Sequence, residues 1–76
     1  LVYPNPSSSK FTMVVPDGSL LQGEVVLYDM SGVEIEKIYV SSGTKTIKIG
    51  NRLSPGTYVL RYMLNGKMIS KKLMKY

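Results

Sequence analysis

Apolar residues in this chain come in short runs that alternate with polar residues, and the runs recur about every ten positions. Residues 10–15 place Phe11, Met13 and Val15 on one side of an extended chain. Residues 57–64 repeat this alternation. Helical spacing is not sustained in any segment. The pattern therefore predicts strands, separated by turns rich in Gly, Ser, Asn and Pro.

About seven strands are predicted. They cover residues 1–3, 10–15, 22–29, 33–40, 44–49, 57–64 and 67–75. The third should be central, because its apolar run at residues 25–28 needs cover on both faces or from a neighbouring loop. Alternation is interrupted near Glu36, which predicts a bulge or a change of register there. Leu53 is expected to return from a loop into the core.

The residues between these segments favour tight turns. Asn65 and Gly66 give the strongest signal, because this pair accepts positive φ at both central positions of a type I′ hairpin. Gly32 suits the turn between the third and fourth strands. The whole pattern predicts an all-β sandwich of two small antiparallel sheets. A Greek-key connection is the expected way of joining them, although alternation alone does not specify it.

The composition limits the chemistry. A chain of 76 residues makes one small domain at most. It contains neither Cys nor His, which excludes a thiol nucleophile, a thiolate metal site and the commonest general base. Glu34 and Glu36 share a strand face beside Lys37, so they are interpreted as solvated charges. We therefore expect no enzyme, no cofactor, no metal and no transmembrane segment. The chain begins at Leu1 rather than Met, so residues 1–76 are expected to be one domain excised from a larger protein.

Positive charge is concentrated near the end of the chain. The formal net charge is +5, and Lys67, Lys71, Lys72 and Lys75 all follow residue 66. Such a segment could attract phosphate, an acidic membrane surface or an acidic protein. It could equally be a solvated edge strand that lysines protect from unwanted pairing.

Four short segments occur in a particular order. They are YPNP at 3–6 followed by Phe11-Thr12, VLYDMSG at 26–32, LSPGTYVLR at 53–61, and the end from Gly66-Lys67 through Lys71-Lys72-Leu73. Each alone is found in many β modules. Together, over nearly the whole chain, they resemble the type A C-terminal sorting domains of cargo proteins that the type IX secretion system exports from Bacteroidetes-group bacteria.

The resemblance implies an immunoglobulin-like β-sandwich at the C-terminus of an exported protein. A separate N-terminal signal would take the protein across the inner membrane, and it would be held in the periplasm in transit. An outer-membrane translocon would then recognise the domain. A sortase-like peptidase would remove it and join the upstream cargo domain to anionic lipopolysaccharide. The cargo would end at the outer membrane and cell surface, or be secreted, and the domain itself would be a substrate.

The resemblance also marks motif positions, which we interpret as structural. They are Pro4, Asn5, Pro6, Tyr28, Asp29, Gly32, Pro55, Gly56 and Tyr58. Glycines suit turns, a carboxylate after a strand suits turn amides, and an alternating tyrosine suits the core. Recognition by the translocon is predicted instead at the last strand, which could add to an edge of a partner sheet. Its candidate residues are Lys71, Lys72, Leu73, Met74, Lys75 and Tyr76.

Two other classes of function stay open. A generic adhesion or carbohydrate-binding module on the same sandwich is the main alternative, because a fold does not dictate a function. A nucleic-acid-binding barrel would use the basic surface and stacking tyrosines. It is disfavoured because the aromatic residues fall mostly at inward positions, so no nucleic acid partner is expected. Self-association through edge strands also stays possible.

Overall fold

Seven strands form in the part of the chain that the computed structural model describes, which is residues 2–3, 9–41 and 43–76. They are β1 (Val2–Tyr3), β2 (Phe11–Val14), β3 (Leu21–Asp29), β4 (Glu34–Tyr39), β5 (Thr46–Ile49), β6 (Gly56–Leu64) and β7 (Lys67–Lys75). No helix occurs among these residues, so none could cross a membrane. The predicted all-β class is confirmed. Leu1, Pro4, Asn5, Pro6 and Ser42 lie outside the described residues.

The strands form two antiparallel sheets packed as a sandwich. One sheet has the order β1-β2-β5 and the other has the order β4-β3-β6-β7. The chain changes sheet between β2 and β3, between β4 and β5, and again between β5 and β6. This matches strands A, B and E against strands C′, C, F and G of an immunoglobulin-like Greek key. The predicted central position of β3 is confirmed, because it lies between β4 and β6.

The core fills the space between the sheets with alternate side chains, mainly from β2, β3, β5 and β6. Its buried members are Phe11, Met13, Val15, Leu21, Val25, Leu27, Ile47, Ile49, Tyr58, Leu60, Tyr62 and Leu73. Leu53 packs against them from the loop before β6, as predicted. Val26 is also buried, but it lies outside this cluster, on the outer face of the four-stranded sheet. The apolar run at 25–28 thus contributes to both faces of the sheet, with Val25 and Leu27 on the inner face and Val26 on the outer face.

The predicted bulge lies in the β3–β4 hairpin. Leu27 pairs with Glu36 and Tyr28 pairs with Glu34, which leaves Ile35 as an extra residue on β4. The turn that joins the two strands contains Gly32, whose φ is 90°. Both features were expected from the local sequence, because each depends on neighbouring residues alone.

The β6–β7 hairpin turns at Asn65 and Gly66, as predicted. Their φ angles are 52° and 79°, the positive values that this pair tolerates. The Asn65 side chain also holds the hairpin to the segment before β3. The side-chain Oδ1 accepts a hydrogen bond from the Leu20 backbone N–H at 2.8 Å, and the Asn65 backbone N–H donates to the Leu20 carbonyl at 2.9 Å. The hairpin therefore has a fixed position on the sheet.

Burial predicts a sharp contrast between two substitutions on the same hairpin. Leu60→Ala should lower the free energy of unfolding by about 2–5 kcal/mol, because Leu60 is fully buried between the sheets. Met68→Ala should change it by less than about 0.5 kcal/mol, because Met68 is 54% exposed. Urea titrations monitored by circular dichroism measure both values. Equal losses of unfolding free energy in the two variants would contradict the assignment of Leu60 to the core and Met68 to the outer face.

Candidate functional site

β7, the strand predicted to be recognised, lies at an edge of the four-stranded sheet. It pairs with β6 through nine residue pairs, from Gly56 with Lys75 to Leu64 with Lys67. No other strand of the described residues pairs with it.

The side chains of β7 divide into two rows. Lys67, Ile69, Lys71, Leu73 and Lys75 share the inward side with β6 residues such as Leu60 and Tyr58, whereas Met68, Ser70, Lys72 and Met74 lie on the outer side. Among the six candidates for recognition, Leu73 and Lys75 are buried and Lys71, Lys72, Met74 and Tyr76 are exposed. The last four can meet a partner through their side chains. Their role in recognition stays a prediction.

Lys75 departs from the expected solvated tail, because its side chain is only 7% exposed. Its Nζ donates hydrogen bonds to the Ser9 carbonyl and, at 2.7 Å, to the Gly50 carbonyl. It also lies 5.8 Å from the centre of the Phe11 ring, within range of a cation–π interaction. These partners belong to the other sheet or to the segments next to its strands. We call this set of contacts the Lys75 anchor.

Gly50 leaves room for the anchor. A Cβ there would lie 3.0 Å from carbon atoms of Leu53 and Phe11, which is too close for an unadjusted side chain. Its N–H donates to Glu36 Oε1 at 3.1 Å, while its carbonyl accepts from Lys75. The residue that follows β5 thus connects to both edge strands of the four-stranded sheet.

Asp29 organises the turn after β3. Its Oδ1 accepts hydrogen bonds from the Ser31 hydroxyl at 2.7 Å and from the backbone N–H groups of Ser31 and Val33, both at 2.9 Å. These bonds, with the Ser31 hydroxyl contributing most, hold the pKa of the carboxyl below its ordinary value of 3.8. The carboxylate therefore has the turn-forming role that we assigned to it, and any role in recognition is untested.

Tyr58 forms a corner at the start of β6. It is buried, and its hydroxyl donates to the Ser54 carbonyl four residues earlier at 2.6 Å. Immunoglobulin-like sandwiches use this tyrosine corner at the same point of strand F. Pro55 is exposed between the two partners, and Gly56 begins the strand with φ of 156°. This arrangement explains the Pro-Gly-Thr-Tyr motif structurally.

Three motif segments that are far apart in the sequence meet at one end of the four-stranded sheet. Asp29 pairs with Tyr58, and Tyr58 pairs with Leu73. In the adjacent row, Tyr28 pairs with Val59, and Val59 pairs with Lys72. The segments VLYDMSG, LSPGTYVLR and KKL thus lie side by side on β3, β6 and β7. Pro4, Asn5 and Pro6, from the remaining motif, fall outside the described residues.

Comparison with known families agrees with this arrangement. A family model described as "Secretion system C-terminal sorting domain" matches residues 1–76. The chain belongs to this family. It is therefore a type IX C-terminal sorting signal, as the resemblance of its motifs predicted. No curated protein and no solved structure matches the chain.

Charge is distributed unevenly over the sorting domain. All five carboxylate residues lie between positions 17 and 36. The hairpin of β6 and β7 contains Arg61, Lys67, Lys71, Lys72 and Lys75 and has no Asp or Glu. On β4, Lys37 Nζ lies 3.4 Å from Glu34 Oε1 and 3.8 Å from Glu24 Oε2. The hydrogen bond to Glu34 and the charges of both carboxylates raise the pKa of Lys37. The four-stranded sheet thus carries mixed charge at its β4 edge and only positive charge at its β7 edge.

The Lys75 anchor should be measurable as stability. Lys75→Met keeps the length of the side chain but removes its donors, so the Gly50 and Ser9 carbonyls lose a partner. We expect the free energy of unfolding to fall by about 1–3 kcal/mol. Lys71→Met, which changes an exposed lysine on the same strand, is the matched control and should change it by less than about 0.5 kcal/mol. Similar losses in both variants would contradict the anchor.

The sorting domain should also lose the contribution of Asp29 at low pH. Because the pKa of Asp29 is lower in the folded than in the unfolded chain, its ionised form stabilises the fold above the unfolded value near 3.8. That contribution is lost as the pH falls through the lower, folded-state pKa. Asp29→Asn should therefore melt below the wild type at pH 7, and the difference should shrink as the pH falls below 3.8. Thermal melts over a series of acidic pH values test it, with exposed Asp17→Asn as the control; a difference that does not shrink with falling pH would refute the charge effect.

Proposed function

We propose that the type IX outer-membrane translocon recognises this sorting domain through the exposed side chains of β7. The observation that carries the proposal is the position of β7 at the end of the sheet, with Lys71, Lys72, Met74 and Tyr76 exposed along it. A partner would gain affinity from the charge of the lysines and specificity from the alternate side chains along the strand. The lysines deter pairing with uncharged strands, so a partner strand with carboxylates would be preferred.

The remaining steps of the proposal follow from the family. Residues 1–76 would form the C-terminal domain of a larger exported protein, joined to an upstream cargo domain. The protein would pass through the periplasm before the translocon takes it to the cell surface. There, a sortase-like peptidase would cut upstream of the domain and attach the cargo to anionic lipopolysaccharide. The domain would take part as a substrate, without an activity of its own.

The buried residues of β7 decide how this should be tested. Deleting residues 73–76 would remove Leu73 from the core and Lys75 from its anchor, so a loss of export would report unfolding rather than recognition. Substitutions of the exposed lysines avoid this difficulty, because Lys71 and Lys72 lie outside the core.

Charge reversal at the edge should block export of a folded domain. The 76 residues are fused behind a periplasmic fluorescent protein in a type IX host, and fluorescence at the cell surface and in the medium is measured. The double variant Lys71→Glu/Lys72→Glu should reduce export by about tenfold or more, since two attractive contacts would become repulsive. Lys45→Glu/Lys48→Glu makes the same charge change on exposed lysines away from β7 and should export normally.

Two results would contradict the proposal. Normal export of the Lys71→Glu/Lys72→Glu variant, with an unchanged melting temperature, would remove β7 as the recognition element. Failure of the unaltered domain to direct any reporter to the surface would contradict the sorting function in this host. Retention of the isolated domain on surface polysaccharide would then favour the adhesion module.

A further inference from the structure

The turn between β6 and β7 consists of two residues that can react with each other. Asn65 and Gly66 are both exposed, and their φ angles are 52° and 79°. No described residue would come within 4 Å of a Cβ at Gly66, so the space on that side of the turn is open. Because glycine has no side chain, its amide nitrogen is the least hindered one that can approach the carboxamide of a preceding asparagine. The pair can therefore close into a succinimide ring.

The folded domain holds the Asn65 carboxamide on the segment before β3. Its Oδ1 accepts a hydrogen bond from the Leu20 backbone N–H at 2.8 Å, and its Nδ2 donates to the Ser19 hydroxyl oxygen at 3.5 Å. Ring closure would draw the carboxamide carbon to the Gly66 nitrogen, which would move Oδ1 away from Leu20 and leave that N–H without its acceptor. It would also fix the backbone dihedral of Asn65 that the hairpin already sets. The fold therefore opposes the reaction.

The reaction itself needs only a base and water. The Gly66 nitrogen, after losing its proton, attacks Asn65 Cγ. The N–Cγ bond forms, the Cγ–Nδ2 bond breaks, and Nδ2 leaves as ammonia with a proton restored to it. Water then opens the ring at one of its two carbonyl carbons. Opening at Cγ gives an aspartate at position 65, whereas opening at the backbone carbonyl carbon gives an isoaspartate, whose main chain runs through Cβ and Cγ.

An isoaspartate would disturb this hairpin more than an aspartate would. It adds one methylene carbon to the main chain inside a two-residue turn, whose geometry depends on both φ angles. The register of β6 with β7 starts at this turn, with Leu64 opposite Lys67, and continues through nine residue pairs. A changed turn would therefore displace the inward side chains of β7, including the buried Leu73 and Lys75. An aspartate keeps the ordinary main chain and an oxygen that can accept from Leu20.

We propose that Asn65-Gly66 is a self-modification site, at which the chain forms a succinimide and then an isoaspartate unless the hairpin has folded. The native turn suppresses the reaction by holding the carboxamide on Leu20, and the unfolded chain lacks that restraint. Once formed, the isoaspartate keeps β7 from its place in the sheet. A chain that stays unfolded is thus converted into one that does not complete the sandwich. This inference does not depend on recognition by the translocon, because it concerns the chemistry of the chain itself.

Peptide mapping by mass spectrometry tests the reaction and its suppression. The purified domain is incubated in mildly alkaline buffer, either folded or unfolded in guanidinium chloride, and the tryptic peptide that covers residues 62–67 is analysed. We expect conversion at Asn65 to be about tenfold or more faster in the unfolded chain, because the attack needs the freedom that the folded turn removes. Asn51, which is followed by Arg52, is the internal reference and should convert more slowly than Asn65 in the unfolded chain.

Three results of this measurement decide the matter. Equal rates of conversion in the folded and the unfolded domain would overturn the suppression. An unfolded chain that converts at Asn65 no faster than at Asn51 would overturn the site. Asn65→Gly removes the carboxamide and tolerates the positive φ, so its peptide should keep its mass under both conditions. A mass change in that peptide would assign the reaction to another residue.

Refolding tests the consequence of the modification. The domain is aged while unfolded, its isoaspartate form is separated from the unmodified form by chromatography, and each is returned to native buffer. We expect the amide hydrogens of β7 to exchange about tenfold or more faster in the isoaspartate form. Asn65→Gly, aged in the same way, should refold as it does before ageing, which controls for damage elsewhere. An isoaspartate form in which β7 is protected as in the unmodified domain would overturn the inference.

Discussion

A single buried ammonium group, that of Lys75, joins the two sheets at one end of this domain. The sandwich has no disulfide and only a small core, so its stability depends on how well the sheets are held together. The Lys75 side chain extends from β7 in the four-stranded sheet to the other sheet. Its ammonium donates to the Ser9 carbonyl, which lies before β2, and to the Gly50 carbonyl, which follows β5. Lys75 thereby ties β7, which ends the four-stranded sheet among the described residues, to the other sheet.

The same strand can therefore serve stability and recognition. Alternate side chains of β7 point to opposite sides, so Leu73 and Lys75 can be buried while Lys72 and Met74 are exposed. This separation is a property of extended backbone and does not require a cleft. In the proposed function, the translocon would recognise the order of the exposed side chains along β7.

Local features of the fold were predictable from the sequence, and long-range ones were not. Alternation located the strands, Asn65-Gly66 located the last hairpin, and the interruption near Glu36 located a bulge. The Lys75 anchor and the Tyr58 to Ser54 bond depend on which backbone carbonyls the fold brings within reach, and lysine at a chain end is ordinarily solvated. The sequence contained one indication of this burial. Lys75 is an even number of positions from Ile69 and Leu73, so all three lie on the same side of the strand. The family was predicted from its motifs, but their alignment on adjacent strands required the register.

The anchor has a consequence for how the domain comes into being. The Ser9 carbonyl and the Lys75 ammonium are separated by 66 positions, so their contact closes a long loop and carries the entropy cost of a non-local contact. A chain that a protease has shortened by its last strand would leave those carbonyl oxygens bare and the interior uncovered. Closure of the sandwich would thus depend on the presence of its last strand.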